Sequence, residues 1–361
     1  MIQKTLQIII IILISCFTTA FSQESQTRGD VNATSVTSPA QNAKALSDYL
    51  VSYLGGADLN QTANSAEKIL AAEQKLDKVV LFNRDMDWNE DNSIIWSWDP
   101  RTLPEGHGAW FVHIDECKPV RNCKLILVTA SKGGGVAIVR VNDAKPLFYA
   151  RPKGSPHSAA LLPDDNLAVV SSDGFLGVYL VPNDLSQDDV TVGQKLAYKF
   201  ELQGAHGVVW DEKRQLLWTL GSSELVALQY NHNKQEPDFT LVHRATLPKY
   251  LLGGHDLYAP CNYDALVVTG RGVGVFDPDT LEFYPVANYD KIKCLDVSEQ
   301  GNVLIQRASE SYWSDRIRYF REPLDSAQDG EPIGQRDGAK FYKARFFQPT
   351  PFSEPQRADR D

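Results

Sequence analysis

PHSAALLPDDNLAVVSSDGFLGVYLV, residues 156–181, is the stretch that decides the fold. Ten residues after His157 an apolar run begins, LAVVSS, and a DG turn leads on to a second run, FLGVYLV. The same phase returns at 49-residue spacing, where His206 precedes LLWTLG and His255 precedes ALVVTG. The offset also sets Asp115 before LILVTA and Lys293 before VLIQRA. Each second run leads through a turn to a third (GVAIVRV, FLGVYLV, ELVALQY, VGVFD, RIRYF). In several units a fourth follows (KPLFYAR, KLAYKFEL, FTLVHRA). Four short antiparallel strands in a unit of about 40–50 residues are the sequence form of a β-propeller blade.

The two ends complete the pattern. KILAAEQ, KVVLFN and SIIWSWD read as second, third and fourth strands lacking a first, and GAKFYKARFF near the C-terminus reads as that first strand. Their pairing closes the ring and leaves no open sheet edge. First strands near Asp115, His157, His206, His255, Lys293 and Tyr342 predict six blades, with room for a degenerate seventh in 309–340. The expected fold class is therefore an all-β propeller over residues 67–348. A linker and short helix occupy 23–66, and a flexible tail occupies 349–361. The helix falls at 42–55, where Ala45, Leu46, Tyr49, Leu50, Tyr53 and Leu54 recur at helical spacing before Gly55 and Gly56. It is expected on the outside of the domain.

The chain has 361 residues, 43% of them hydrophobic, which suits a large core and argues against disorder. Its net charge of −10 argues against nucleic acid as a partner, so an acidic ligand would need a local basic pocket. Residues 1–22 have the form of an export signal: Lys4, the apolar run IIIIILIS, and TAFS before Gln23. LISC ending at Cys16 offers the alternative of a lipid-anchored protein. In either case the mature chain is expected in the periplasm or outside the cell, with no further run long enough to span a membrane. In an oxidising compartment Cys117, Cys123, Cys261 and Cys294 are available for disulfides, and Cys117 and Cys123 flank a short loop as a hairpin staple would. They lack the paired spacing of a zinc site.

In a propeller the first strand of each blade lines the central channel, and its start opens on the same face as the turn between second and third strands. His157, His206 and His255 are therefore expected side by side at the channel mouth. Asp115 or Glu116, Lys293, Tyr342 and Lys343 complete the ring. The bland reading is structural, each imidazole satisfying nearby backbone. The sharper one is a ligand or metal site. The turns SKGGG (131–135) and GRGVG (270–274) join strand to strand, whereas a phosphate loop needs a helix, so nucleotide binding is excluded. Lys132, Arg271 and Arg307 on such turns are placed to reach inward, and Tyr149 and Arg151 precede the His157 strand. Trp96 and Trp98 read as inter-blade packing. Trp110 and Trp313 lie nearer the mouth as candidate sugar-stacking rings, and His107 and His113 lie at its rim.

Basic groups around histidines on an exported acidic protein point to an anionic carbohydrate, uronate sugars first. A lyase acting on one must neutralise the carboxylate, remove the C5 proton and protonate the leaving O4. His157, His206, His255, Lys293 and Tyr149 are the candidates for catalysis. Lys132 and Tyr342 are candidates for substrate binding. No nucleophile elbow is present, and Asp115, Glu116 and Asp256 are the only carboxylates available for a glycosidase reading.

IIWSWDP, LILVTASKGGGVAIV, LFYARPKGSPHSAALLPDDNLAVVSS and GGHDLYAP resemble a family of exported bacterial and fungal propellers related to rhamnose–glucuronate lyases. The resemblance covers roughly residues 68–348 and is most specific in PHSAALLPDDNLAVVSS. The histidine ring is also similar to that of oligogalacturonate lyases, propellers that hold a metal at the axis. The resemblance implies proton transfer by His157, His206 and His255. It also implies a divalent cation, calcium or manganese, held by the same three, and Arg151, Arg271 and Arg345 as partners of the substrate carboxylate. Those lyases have seven blades where six are counted here. The expectation is an exported enzyme that eliminates at glucuronate in a glycan. The alternative is a non-catalytic propeller that binds glycan or protein on its top face.

Overall fold

Runs of Val, Ile, Leu and aromatic residues form strands, and the Gly/Asp/Asn turns between them are too short for anything but antiparallel neighbours. The computed structural model describes residues 41–56, 67–182, 184–193, 196–309, 311–322, 324 and 331–354. Six sheets result, five of four strands and one of five. Blade 1 joins the C-terminal strand Phe341–Phe346 to Lys68–Glu73, Lys78–Asn83 and Ile94–Trp98, so the ring closes as the sequence predicts. The inner strands of blades 2 to 6 are Ile114–Val120, Pro156–Leu161, Gly207–Asp211, Asp256–Tyr258 and Ile292–Val297. Residues 309–340 hold the third and fourth strands of blade 6, Arg316–Tyr319 and Pro332–Gln335, rather than a seventh blade. Blade 2 gains a fifth strand, Thr191–Gly193, parallel to its fourth strand. Nothing in that polar segment announces it.

The helix Ala43–Leu54 starts at Asn42, whose side chain accepts a hydrogen bond from Ala45 N–H at 2.9 Å. It buries Leu46, Leu50 and Tyr53 against the outer strands of blade 5 and the core of blade 6. Side chains of this size contribute about 1.5–3 kcal/mol each on burial. Residues 1–40, with the expected export signal and Cys16, lie outside the described residues.

Packing accounts for the glycine turns and overturns the cysteine staple. The glycines of SKGGG and GRGVG are there for close approach. A Cβ on Gly133 would stand 2.1 Å from Trp110 O, and one on Gly270 would stand 2.2 Å from Leu251 O. In each case the loop leading to or from the blade lies directly on the turn. Cys117, Cys123, Cys261 and Cys294 are all free thiols. Cys117 is fully buried in the apolar layer between blades 1 and 2, away from the turn that carries Cys123, so the hairpin staple is not formed.

The end of the propeller and the start of the expected flexible tail are held in place. Gln348 and Thr350 are buried, Phe352 O accepts from Glu212 N–H at 3.0 Å, and Glu354 accepts from Asn122 N–H at 3.1 Å. This segment crosses the face opposite the histidines, on the first-to-second-strand turns of blades 2 and 4. Residues 355–361 lie outside the described residues.

Candidate functional site

A strand alternates its side chains between two faces, so consecutive residues do not both face a channel unless the alternation is broken. It is broken at one phase in four blades. One extra residue interrupts the register between Ile114 and Glu116, between Pro156 and Ser158, and between Ile292 and Cys294. The extra residues are Asp115, His157 and Lys293. In blade 1 Tyr342 and Lys343 together oppose Ala72. Bulges of this kind re-aim side chains. In blades 4 and 5 the strand begins just after His206 and His255, whose N–H groups bond Leu220 O and Thr269 O.

The expected ring assembles at the mouth. The imidazoles of His157 and His206 have centroids 4.2 Å apart, those of His206 and His255 5.1 Å, and the Tyr342 ring lies 6.2 Å from His157. His157 Nδ1 is 3.1 Å from Ser155 O, and His206 Nδ1 is 3.0 Å from Gly204 O. A carbonyl accepts, so each Nδ1 carries the proton and each Nε2 keeps a lone pair. His255 Nε2 accepts from Lys293 Nζ at 2.7 Å, which selects the same tautomer. Burial, with the neighbouring imidazole and Lys343 adding to it, holds His157 well below the usual histidine range. His206 is lowered to about 4 and His255 well below its ordinary value, again chiefly by burial. Burial and Lys343 bring Lys293 down to about 8. The ring is thus three neutral bases beside one amine, and all three histidines keep some solvent exposure.

Asp115 sits at the same level, pushed up to about 7 by burial. Its two oxygens accept from Gln74 Nε2 at 3.2 Å and from Ser131 N–H at 2.5 Å. One layer deeper the channel is filled. Lys343 Nζ lies 3.0 Å from Asp256 and 3.3 Å from Glu116, and Arg345 Nη2 lies 2.8 Å from Asp256 and 3.2 Å from Glu116. Ser158 donates to Glu116 at 3.1 Å, and Lys118 Nζ donates to Ser158 Oγ, Ala159 O and Val208 O at 2.9–3.1 Å. Burial opposes the charge on Glu116, but Arg345 and Lys343 outweigh it and lower its carboxyl to about 2.

Several nominated residues stand elsewhere. Arg345 is fully buried in the ion quartet and stacks 4.1 Å over Tyr258, so it faces no substrate. Tyr149 is buried on the fourth strand of blade 2, bonded to His107 Nδ1 at 3.1 Å beside Trp110. Arg151 is tied to Gly133 O at 3.0 Å. Lys132 is exposed on the glycine turn near His113, Arg271 lines a separate cleft, and Arg307 turns to Asp290. Trp98 packs edge-on against Phe111 at 5.0 Å, as its inter-blade reading predicts. Tyr312 was not legible in advance. Its ring is 61% exposed and its centroid lies 5.4 Å from Lys293 Nζ, on an irregular loop that no periodicity marks.

A family model described as "Family of unknown function (DUF6528)" matches residues 57–360. The chain belongs to that family. Among solved structures, this DUF6528 protein is similar to a putative 6-phosphogluconolactonase from Bacteroides fragilis, 10% identical with a TM-score of 0.47. The match covers 78% of this chain and 99% of that one. A protein of unknown function from Bacteroides caccae is 14% identical, with the same TM-score and coverage. Among curated protein sequences none matches. Within the described residues of this DUF6528 propeller, no helix is long and apolar enough to cross a membrane. Among the same residues, no three His, Cys, Asp or Glu side chains are grouped as metal ligands. Lys293 Nζ stands where an ion shared by the imidazoles would meet His255 Nε2, so the donor set does not fit a cation while that amine is in place.

Proposed function

We propose that this exported DUF6528 propeller binds a uronate-bearing glycan at the histidine ring and cleaves it by β-elimination. The observation that carries the reading is Lys293 Nζ at 2.7 Å from His255 Nε2, beside two further imidazoles whose Nε2 atoms have no partner among the described residues. The resemblance to rhamnose–glucuronate lyases supports the choice of substrate class. Lys293 faces the substrate carboxylate, and Tyr312 gives the sugar ring a face to stack on. An imidazole Nε2, that of His206 or His157, takes the C5 proton. The C5–H electron pair becomes the C4=C5 double bond, the C4–O4 bond breaks, and the leaving oxygen receives a proton from the imidazolium.

An imidazole lowered to about 4 is a weak base in the free protein. An entering carboxylate raises its proton affinity, because opposite charge favours the protonated form. Binding is therefore expected to take up protons and to strengthen as the pH falls toward 5. The same low proton affinity favours a second reading, in which the ring recognises an acidic glycan on the top face without turnover.

Incubation with glucuronate-bearing glycans separates the two. The first reading predicts an unsaturated product absorbing in the ultraviolet, abolished in His206→Ala. Binding without such a product from any of these glycans would leave the second reading, and the absence of binding would remove both.

A further inference from the structure

Away from the axis, a cleft of about 590 Å³ opens beside the GRGVG turn, bounded by Lys249, Tyr250, Arg271 and the segment 285–288. Its construction is specific. A Cβ on Gly270 would meet Leu251 O at 2.2 Å, one on Gly272 would meet Ala287 O at 2.4 Å, and one on Gly274 would come within 3.1 Å of the Tyr250 ring. Glycine at alternate positions therefore lets the turn settle between the incoming loop and the end of the outer strand Glu282–Ala287. The arrangement leaves Arg271 and Lys249 exposed at the edge. Among the described residues neither cation is paired with an acid, and none of the residues bounding the cleft is acidic. In a chain of net charge −10 that is a local reversal of sign. The floor is apolar, from Pro285, Val286 and Ala287. The Tyr250 hydroxyl, shielded from solvent, has no partner among the described residues.

We infer that this cleft is a second carbohydrate subsite, which holds an acidic sugar unit remote from the histidine ring. Its two cations take the carboxylate, and its aromatic and aliphatic floor takes the ring face. The inference rests on the reading of the axial site as a uronate site, since the same polymer would supply both groups. Position supports it. Thr269 O accepts the N–H of His255 at 2.7 Å, and Arg271 is two residues further along the chain, so its Cα lies within ~7 Å of that of Thr269. The cleft and the ring thus flank the inner end of one blade, and an oligosaccharide can occupy both while a single sugar cannot.

The test titrates a glucuronate-rich tetrasaccharide and free glucuronate into the wild type, Lys249→Ala/Arg271→Ala and His206→Ala by calorimetry. The expected result is a loss of about tenfold in tetrasaccharide affinity for the double variant, with glucuronate binding unchanged. His206→Ala weakens both ligands. Unchanged tetrasaccharide affinity in the double variant overturns the subsite and leaves the axial reading standing. Equal weakening of both ligands also overturns it, because the cations would then act at the ring. Tetrasaccharide binding that needs the two cations but yields no unsaturated product would support the subsite and sink the lyase reading. A wild type that binds neither ligand overturns both. Melting temperatures of the variants, expected within a few degrees of wild type, guard against loss of fold.

Discussion

Two layers of the same channel, adjacent along the inner strands, use charged and polar residues in opposite ways. In the deeper layer Glu116, Asp256, Lys343 and Arg345 are all at 0–1% exposure, and each acid meets both bases. Their charges are paired with one another. At the mouth three imidazoles remain partly exposed; His255 takes Lys293 on Nε2, while His157 and His206 fix their Nδ1 protons on backbone carbonyls and keep Nε2 lone pairs with no partner among the described residues. Burial with mutual pairing makes a scaffold. Partial exposure with unspent acceptors makes a place for a ligand.

The contrast is sharpest in turnover. His206→Ala is expected to lower the rate of uronate elimination by about 100- to 10,000-fold, the usual contribution of a proton-transfer group. Unfolding free energy should fall by only about 1–3 kcal/mol. A variant that keeps the wild-type rate would make the mouth as structural as the layer beneath it. Conversely, Arg345→Met leaves Glu116 and Asp256 short of a partner in the interior. It should cost about 3–5 kcal/mol in urea unfolding, and a loss below about 1 kcal/mol would show that the deep layer is not the scaffold described here.

Acid titration separates the imidazoles from the buried carboxylic acids. The folded-state pKa of His206, about 4, lies below its unfolded value of ~6.5, so the unfolded chain takes up the proton first as the pH falls. The stability His206 contributes is whole above pH 6.5 and is lost progressively down to pH 4, a change of about 3 kcal/mol. Burial pushes Asp115 at the mouth and Asp296 on the inner strand Ile292–Val297 both up to about 7, so they act in the opposite sense. The stability they contribute is present at low pH and lost as the pH rises through 7. Comparing wild type with His206→Gln cancels the carboxylates. The difference in their unfolding free energies should shrink toward pH 4, and a difference independent of pH would contradict the assignment. Smaller still, Tyr312→Ala should weaken binding of a glucuronate tetrasaccharide about 3- to 10-fold through lost stacking, with stability within about 0.5 kcal/mol of wild type.

Much of this was legible in the sequence, for reasons that also mark where legibility ended. Equal spacing of His157, His206 and His255 becomes equal position about an axis, so the six blades, the closing strand Phe341–Phe346 and the mouth ring all follow from phase. The deep layer did not follow. Strand alternation predicts that of two consecutive residues one turns away, and the bulges at Asp115, His157, Lys293 and Tyr342–Lys343 break that alternation. The resemblance implies Arg345 as a partner of the substrate carboxylate, whereas its side chain belongs to a buried ion quartet. Tyr149 and Arg151 are near the ring in sequence, and Lys132 lies on a turn of the same face, yet the fourth strand, a bond to Gly133 O and an exposed turn hold them away from it. The glycine turns were read for what they fail to bind. Their reason is the Trp110 and Leu251 backbones lying on them, a contact no local pattern encodes.

The most direct measurement is nuclear magnetic resonance of the ring nitrogens of His157, His206 and His255 through a pH titration, with and without a glucuronate oligosaccharide. At pH 7 all three should be neutral with the proton on Nδ1. They should titrate below the ordinary histidine range and move upward when the acidic ligand enters. Imidazoles already charged at pH 7, or titration curves indifferent to the ligand, would contradict the account.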